Sequence, residues 1–166
     1  ESLLGGPLRG SYEPRRPTAP PERRPEVRPM AASLRTASAL PGACFLVTGA
    51  ARGIGAAVAR HLSAAGARVA ATDHPAHAEG LAALAREVEG IVATPLGDVT
   101  VEADRRSIVD AAQEAAGSSG LRGLVNNAGI GVFSPLHGGS EPEEVRRCFE
   151  VNAAAPLRLP PAFPEG

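Results

Sequence analysis

Thr48-Gly-Ala-Ala-Arg-Gly-Ile-Gly55 joins an apolar run, Cys44-Phe-Leu-Val47, to a stretch with helical spacing from 52 to 65. The run reads as a buried strand. The stretch reads as a helix with Ile54, Val58, His61 or Leu62, and Ala65 on its inner face. Glycines in such a strand-to-helix turn suit the pyrophosphate of a dinucleotide. The first turn of a helix leaves backbone N–H groups unpaired, and the aligned peptide dipoles favour an anion there. Gly49 fits the tight turn, Gly53 the approach of the phosphates, and Gly55 the packing of helix on strand. A plain structural turn would use the same glycines, so the flanking strand and helix decide the reading.

Outward from this turn the pattern repeats. Arg68-Val-Ala-Ala-Thr72 is a second strand and Ala76 to Val88 a helix followed by Gly90. Ile91 to Thr94 is a third strand, and Glu102 to Ala116 a helix with Thr100 as its N-cap and Gly117 as its stop. Gly123 to Asn126 is a fourth strand, and Glu141 to about Ala154 a further helix with Pro142 in its first turn. Strands and helices that alternate at these lengths predict an α/β fold, a doubly wound parallel sheet of Rossmann type. With about four strands it is incomplete.

Asp73 ends the second strand, 18 residues beyond Gly55. A carboxylate there can accept hydrogen bonds from both adenosine ribose hydroxyls and would repel a 2′-phosphate, which favours NAD over NADP. Arg52, inside the glycine turn, keeps NADP open. The plain alternative for Asp73 is an acid that caps a strand end.

Composition narrows the classes. The net charge is -1, with no basic excess to bind nucleic acid. No apolar run reaches the length that spans a membrane. Every one of the 17 basic residues is Arg, and the only tyrosine is Tyr12. Cys44 and Cys148 lack metal-ligand spacing and read as reduced thiols, so no metal site is expected. Residues 1–41, with seven prolines between Pro7 and Pro29 among arginines and four glutamates, predict a disordered tail. Residues 30–40 contain no acid and are a weak candidate for a mitochondrial leader; the default localisation is cytoplasmic. The first Met is Met30, so residues 1–29 either continue from something upstream or lie outside the mature protein. The expected division is 1–41 tail, 42–155 nucleotide-binding half-domain, 156–166 irregular tail.

Four segments in order then resemble the short-chain dehydrogenase/reductase family, over about residues 43 to 152. They are Thr48-Gly49-x-x-x-Gly53-x-Gly55, Asp98-Val99 after the third strand, Asn126-Asn127-Ala128-Gly129 after the fourth, and Val151-Asn152 in the last helix. The resemblance implies a cofactor-binding set of Thr48, Gly49, Arg52, Gly53, Ile54, Gly55, Asp73, Asp98, Val99, Asn126, Ala128 and Gly129. It implies that Asp98 and Val99 lie at the adenine ring, and that Asn126, Ala128 and Gly129 lie near the nicotinamide ribose. Asn152 resembles the helical Asn that anchors a catalytic water. Read as plain residues, the two asparagines of the turn would be turn formers, and Asn152 a solvent-facing helical residue.

The family's chemistry is hydride transfer between nicotinamide and a carbonyl or alcohol, by Asn, Ser, Tyr and Lys. The resemblance makes the Tyr the acid/base and the Lys the cation that lowers its pKa. Neither Tyr-x-x-x-Lys nor the Ser has a counterpart here, so only Asn152 remains of the four and these residues are expected to be inactive. After Asn152 the pattern departs: Pro156, Pro160, Pro161 and Pro164 are expected to stop the helix, as in a truncated product or an incomplete reading frame. The fourth strand is expected at an unprotected edge, and the Asn152 helix without its packing neighbour. The alternative is a non-enzymatic NAD-binding sensor or partner subunit. The full-length parent would be a homo-oligomer acting on a small molecule. Phe133 and Leu136 are candidates to line its substrate pocket, and His137 reads as a loop residue.

Overall fold

The computed structural model describes residues 40–132, 139 and 141–159. The expectations for the N-terminal tail, for Phe133, Leu136 and His137, and for the last three prolines lie outside these residues.

Four strands form one sheet in the order β3-β2-β1-β4, every pairing parallel. They are β1 (Cys44–Thr48), β2 (Arg68–Thr72), β3 (Ile91–Ala93) and β4 (Leu121–Val125). Side chains alternate across the sheet. Val47, Val69 and Ala71 pack with Ala56 and Ala59 of α1 (Gly53–Ala64) and Leu81 and Leu84 of α2 (Ala78–Glu87). Cys44, Leu46, Ala70 and Leu121 pack with Ile108, Val109 and Ala112 of α3 (Glu102–Ala116) on the other face. The doubly wound parallel sheet expected from the alternation is therefore present.

Several local expectations are corrected. Val58 and Leu62 pack against the sheet as expected, but the fully buried residues of α1 are Gly55, Ala56 and Ala59, whereas Ile54 is 76% exposed and His61 and Ala65 are exposed too. At the first turn, α1 lies so close to the glycine turn that Gly55 has no room for a side chain. Thr100 is not the N-cap of α3, a position taken by Val101 without a side-chain bond. Instead the Thr100 hydroxyl donates to Asp98 Oδ1 at 2.7 Å. β4 starts at Leu121, two residues early, where a register shift at Cys44/Phe45 lets Leu121 pair with Cys44.

The last helix does not stop before Pro156. α4 (Pro142–Phe149) runs into a π-helical turn, Glu150–Ala154, and then into α5 (Ala155–Arg158), with Pro156 in its first turn. A wider π turn already breaks the i→i−4 ladder at the point where proline lacks its donor, so the ring is tolerated. Val151, Ala155 and Leu159, spaced four apart, are buried, and Leu159 joins the α3-side core. No helix among the described residues is long and apolar enough to cross a membrane.

Candidate functional site

The C-terminal ends of the four parallel strands open into a cleft of about 470 Å³. Crevices at this end of an open parallel sheet are where ligands bind. The glycine turn forms its floor. Gly49 and Gly53 have φ of +65° and +56°, a left-handed backbone that favours glycine. A Cβ on Gly53 would meet nothing within 4 Å, so open space lies beside the turn. A Cβ on Gly55 would overlap the Gly49 carbonyl and come within 2.5 Å of Asn127 Nδ2. Arg52 is the N-cap of α1 and supplies no side-chain bond to its free N–H groups. The positive end of a twelve-residue helix thus faces the cleft unneutralised.

Thr48 and Asn127 hold the turn to β4. The Thr48 hydroxyl donates to the Val125 carbonyl at 3.3 Å and accepts the N–H groups of Asn127 and Ala128, each at 3.0 Å. Asn127 Nδ2 returns the tie, donating to the carbonyls of Thr48 and Gly49 at 3.0 Å. Thr72, level with Thr48 in the sheet, lines the cleft, and its buried hydroxyl has no partner among the described residues.

Asp73 holds the other side of the turn. Oδ2 accepts the Ala51 N–H at 2.8 Å, and Oδ1 accepts both the His74 N–H and the His77 ring Nδ1, each at 2.8 Å. Its carboxylate is only 9% exposed. Oδ1 thus accepts two hydrogen bonds and Oδ2 one, which leaves one lone pair on Oδ2. Asp98, after β3, accepts the N–H and hydroxyl of Thr100 at Oδ1, and its Oδ2 is 3.9 Å from His74 Nε2. Burial opposes its charge, but the two Thr100 bonds and the electrostatic influence of the neighbouring His74 and Arg147 outweigh that and hold the carboxyl below the usual aspartate range. The Val99 carbonyl accepts from the buried Arg105 at 2.9 Å, which ties α3 to this loop.

Of the residues selected from sequence, Gly49, Arg52, Gly53, Ile54 and Asp73 line the cleft, as do Asp98, Val99, Ala128 and Gly129. Thr48 and Gly55 stand behind it as supports. Asn126 is exposed and outside the cleft lining. Asn152 is outside too: its Oδ1 accepts the Ile130 N–H and its Nδ2 donates to the Ile130 carbonyl, both at 2.9 Å. Its amide pins the segment after β4 to the last helix. Sequence reasoning left out Thr72, His74, His77, Asn127 and Arg147 as cleft residues. Asn127 and His74 stood beside selected residues. His77, four residues after Asp73, carried an i,i+4 signal. Thr72 stood beside Asp73 on the strand side, whereas nothing local marked Arg147. No group of three or more metal-ligating side chains occurs among the described residues.

The chain matches the short chain dehydrogenase family over residues 43–163. It is 42% identical over 97 residues to a D-threitol dehydrogenase of Mycolicibacterium smegmatis, covering 58% of this chain and 36% of that protein. Among solved structures, it is similar to a 3-ketoacyl-(acyl-carrier-protein) reductase from Brucella melitensis complexed with NADH. The TM-score is 0.65 at 32% identity, over 72% of this chain and 48% of that one. A short chain dehydrogenase from Burkholderia cenocepacia in complex with NADP gives a TM-score of 0.63 at 35% identity, over 72% and 49%. The chain spans from about a third to a half of the length of such relatives. With the family's sequence and its parallel sheet shared across nearly three quarters of its residues, this chain belongs to the short-chain dehydrogenase/reductase family.

Proposed function

We propose that residues 43–159 hold a nicotinamide dinucleotide, NAD in preference to NADP, across the C-terminal edge of the sheet. The parent activity is hydride transfer between that cofactor and a carbonyl or alcohol of a small molecule. One observation carries the reading: the open space beside Gly53, at the uncapped N-terminus of α1, inside a cleft the sheet ends define. The unpartnered Thr72 hydroxyl adds a buried polar atom at the same place that lacks an internal bond.

The residues divide the work. The first N–H groups of α1 bind the pyrophosphate, and the left-handed Gly53 lets it approach. Asp73 offers its remaining lone pair to the adenosine ribose, and its charge disfavours a 2′-phosphate. Asp98 and Val99 border the adenine side, and Ala128 and Gly129 the nicotinamide side. Thr48, Asn127 and Asn152 hold these segments in place. When bound, the nicotinamide supplies or accepts the hydride. These 166 residues contain no Lys and have one Tyr, Tyr12. An unassisted tyrosine titrates near pH 10, so a positioned acid/base is wanting at neutral pH. We therefore propose that the chain as given binds the cofactor without turning over substrate. The exposed apolar side chains Val145, Phe149 and Leu157 support self-association of the parent through the α4–α5 face.

The test is calorimetric titration of the 166-residue chain with NAD and NADP, for wild type and Asp73→Ala. NAD binding tighter than NADP binding, with the preference reduced at least tenfold by the substitution, is expected. Absence of NAD binding in a chain that melts cooperatively would sink the reading.

A further inference from the structure

We propose that His77 makes the choice between the two dinucleotides depend on pH, NADP being accepted more readily as His77 takes up a proton. This rests on the dinucleotide reading above and deepens it. His77 Nδ1 is 2.8 Å from Asp73 Oδ1. An ionised carboxylate only accepts, so Nδ1 carries the hydrogen and Nε2 of the neutral ring does not. A proton therefore adds at Nε2 without breaking any hydrogen bond the ring makes.

His74 is placed differently. Its Nδ1 accepts the Ala76 N–H at 3.1 Å, so its hydrogen sits on Nε2, 3.9 Å from Asp98 Oδ2. Charging His74 would set a second donor against the Ala76 N–H. A proton on His77 Nε2, by contrast, displaces no hydrogen bond among the described residues.

The charges around His77 give the sign. Asp73 at the end of β2 and Asp98 after β3 are the acids of the cleft, and Arg52 before α1 and Arg147 on α4 are its arginines. His77 is the N-cap of α2, whose positive end and whose first-turn Glu79 oppose one another in sign. Asp98 is held ionised throughout the histidine range. With His77 neutral, the Asp73–His77 pair carries one negative charge toward the adenosine ribose. With His77 charged, the pair is neutral and presents a further N–H. A 2′-phosphate, with about −1.5 to −2 charges, is repelled by the first state and accepted by the second. The ribose diol of NAD, uncharged, is nearly indifferent.

Linkage provides a test in the wild-type chain. If protonated His77 favours NADP, then NADP binding at pH 7 draws a proton onto the protein. The 2′-phosphate, with its second pKa near 6, has at most about a tenth of a proton to release there. Titration calorimetry of the 166-residue chain in two buffers of different ionisation enthalpy counts the protons. Net uptake with NADP and none with NAD is expected, the uptake vanishing in His77→Gln and persisting in His74→Gln. The NADP-to-NAD affinity ratio of wild type should also rise roughly tenfold more than that of His77→Gln on going from about pH 8 to about pH 6.

No uptake, or release, on NADP binding by wild type overturns the inference even if a variant fails to fold. Uptake that survives in His77→Gln overturns it as well. In both cases NAD binding itself stands. A wild-type chain that binds neither dinucleotide overturns the dinucleotide reading, and this inference falls with it.

Discussion

At Gly55 a single methyl group has nowhere to go. It would overlap the Gly49 carbonyl and crowd Asn127 Nδ2. Relief requires α1 to move off the sheet or the Asn127 bonds to break. Gly55→Ala should therefore cost about 1–3 kcal/mol of stability, read by urea unfolding, with an unchanged m-value. An unaltered midpoint would mean that α1 is not held this close. Asp73 and His77 carry the lesson of this scale. The acid was legible from its place at a strand end, but its hydrogen bonds were not. Oδ1 is filled by the His74 N–H and by a ring four residues on, which reaches it only once the 3-10 turn Pro75–His77 forms, and Oδ2 takes one N–H of the turn it steadies.

The elements around the cleft are fastened by side chains in their connecting loops. The turn into α3 depends on Asp98, whose Oδ1 takes two bonds from Thr100. Its carboxyl titrates below the ordinary value when folded and at that value when unfolded, so the unfolded chain binds the proton first. The stability it contributes is present above about pH 4, the ordinary aspartate range, and is lost as pH falls through the lower folded value. Asp98→Asn should flatten the acid limb of a stability–pH curve, followed by denaturant midpoints between about pH 6 and pH 3, and an unaltered limb would contradict the assignment. At this scale the strands and helices themselves were readable from periodicity, with ends shifted by a few residues. The passage through Pro156 was not. Proline forbids an ordinary helical bond, but nothing in its neighbourhood announces the π turn that removes the need for one.

For the molecule as a whole, the core on the α3 side gathers residues from β1, β2, β4, α3 and the last turn at Leu159. Cys44 is fully buried within it. Burial pushes its thiol up, more than Arg68 and the Ala70 backbone pull it down, so the thiolate is scarce as well as covered. Alkylation of Cys44 should require global unfolding and follow the same denaturant dependence as the melt, whereas half-buried Cys148 should react under native conditions. Peptide mapping after brief alkylation distinguishes them, and prompt labelling of Cys44 would mean that the core opens locally. Saturating NAD should suppress that labelling further, since a ligand bound at 100 times its Kd adds about 2.7 kcal/mol.

The sequence by itself determined the alternation, the parallel sheet, the glycine turn and the acid after β2. These follow from periods of 2 and 3.6, from where glycine is needed, and from spacing along a chain, all of which are local. Only the tertiary structure decided the rest. Thr72, His77 and Arg147 share one cleft because strand order brings β2, the turn before α2 and α4 to the same sheet edge. Asn152 turned out to hold Ile130, and Asn126 to stand outside, because a side chain's partners depend on distances between segments distant along the chain. Periodicity tells which side of an element faces inward, whereas the distance between two elements is set by how their side chains pack.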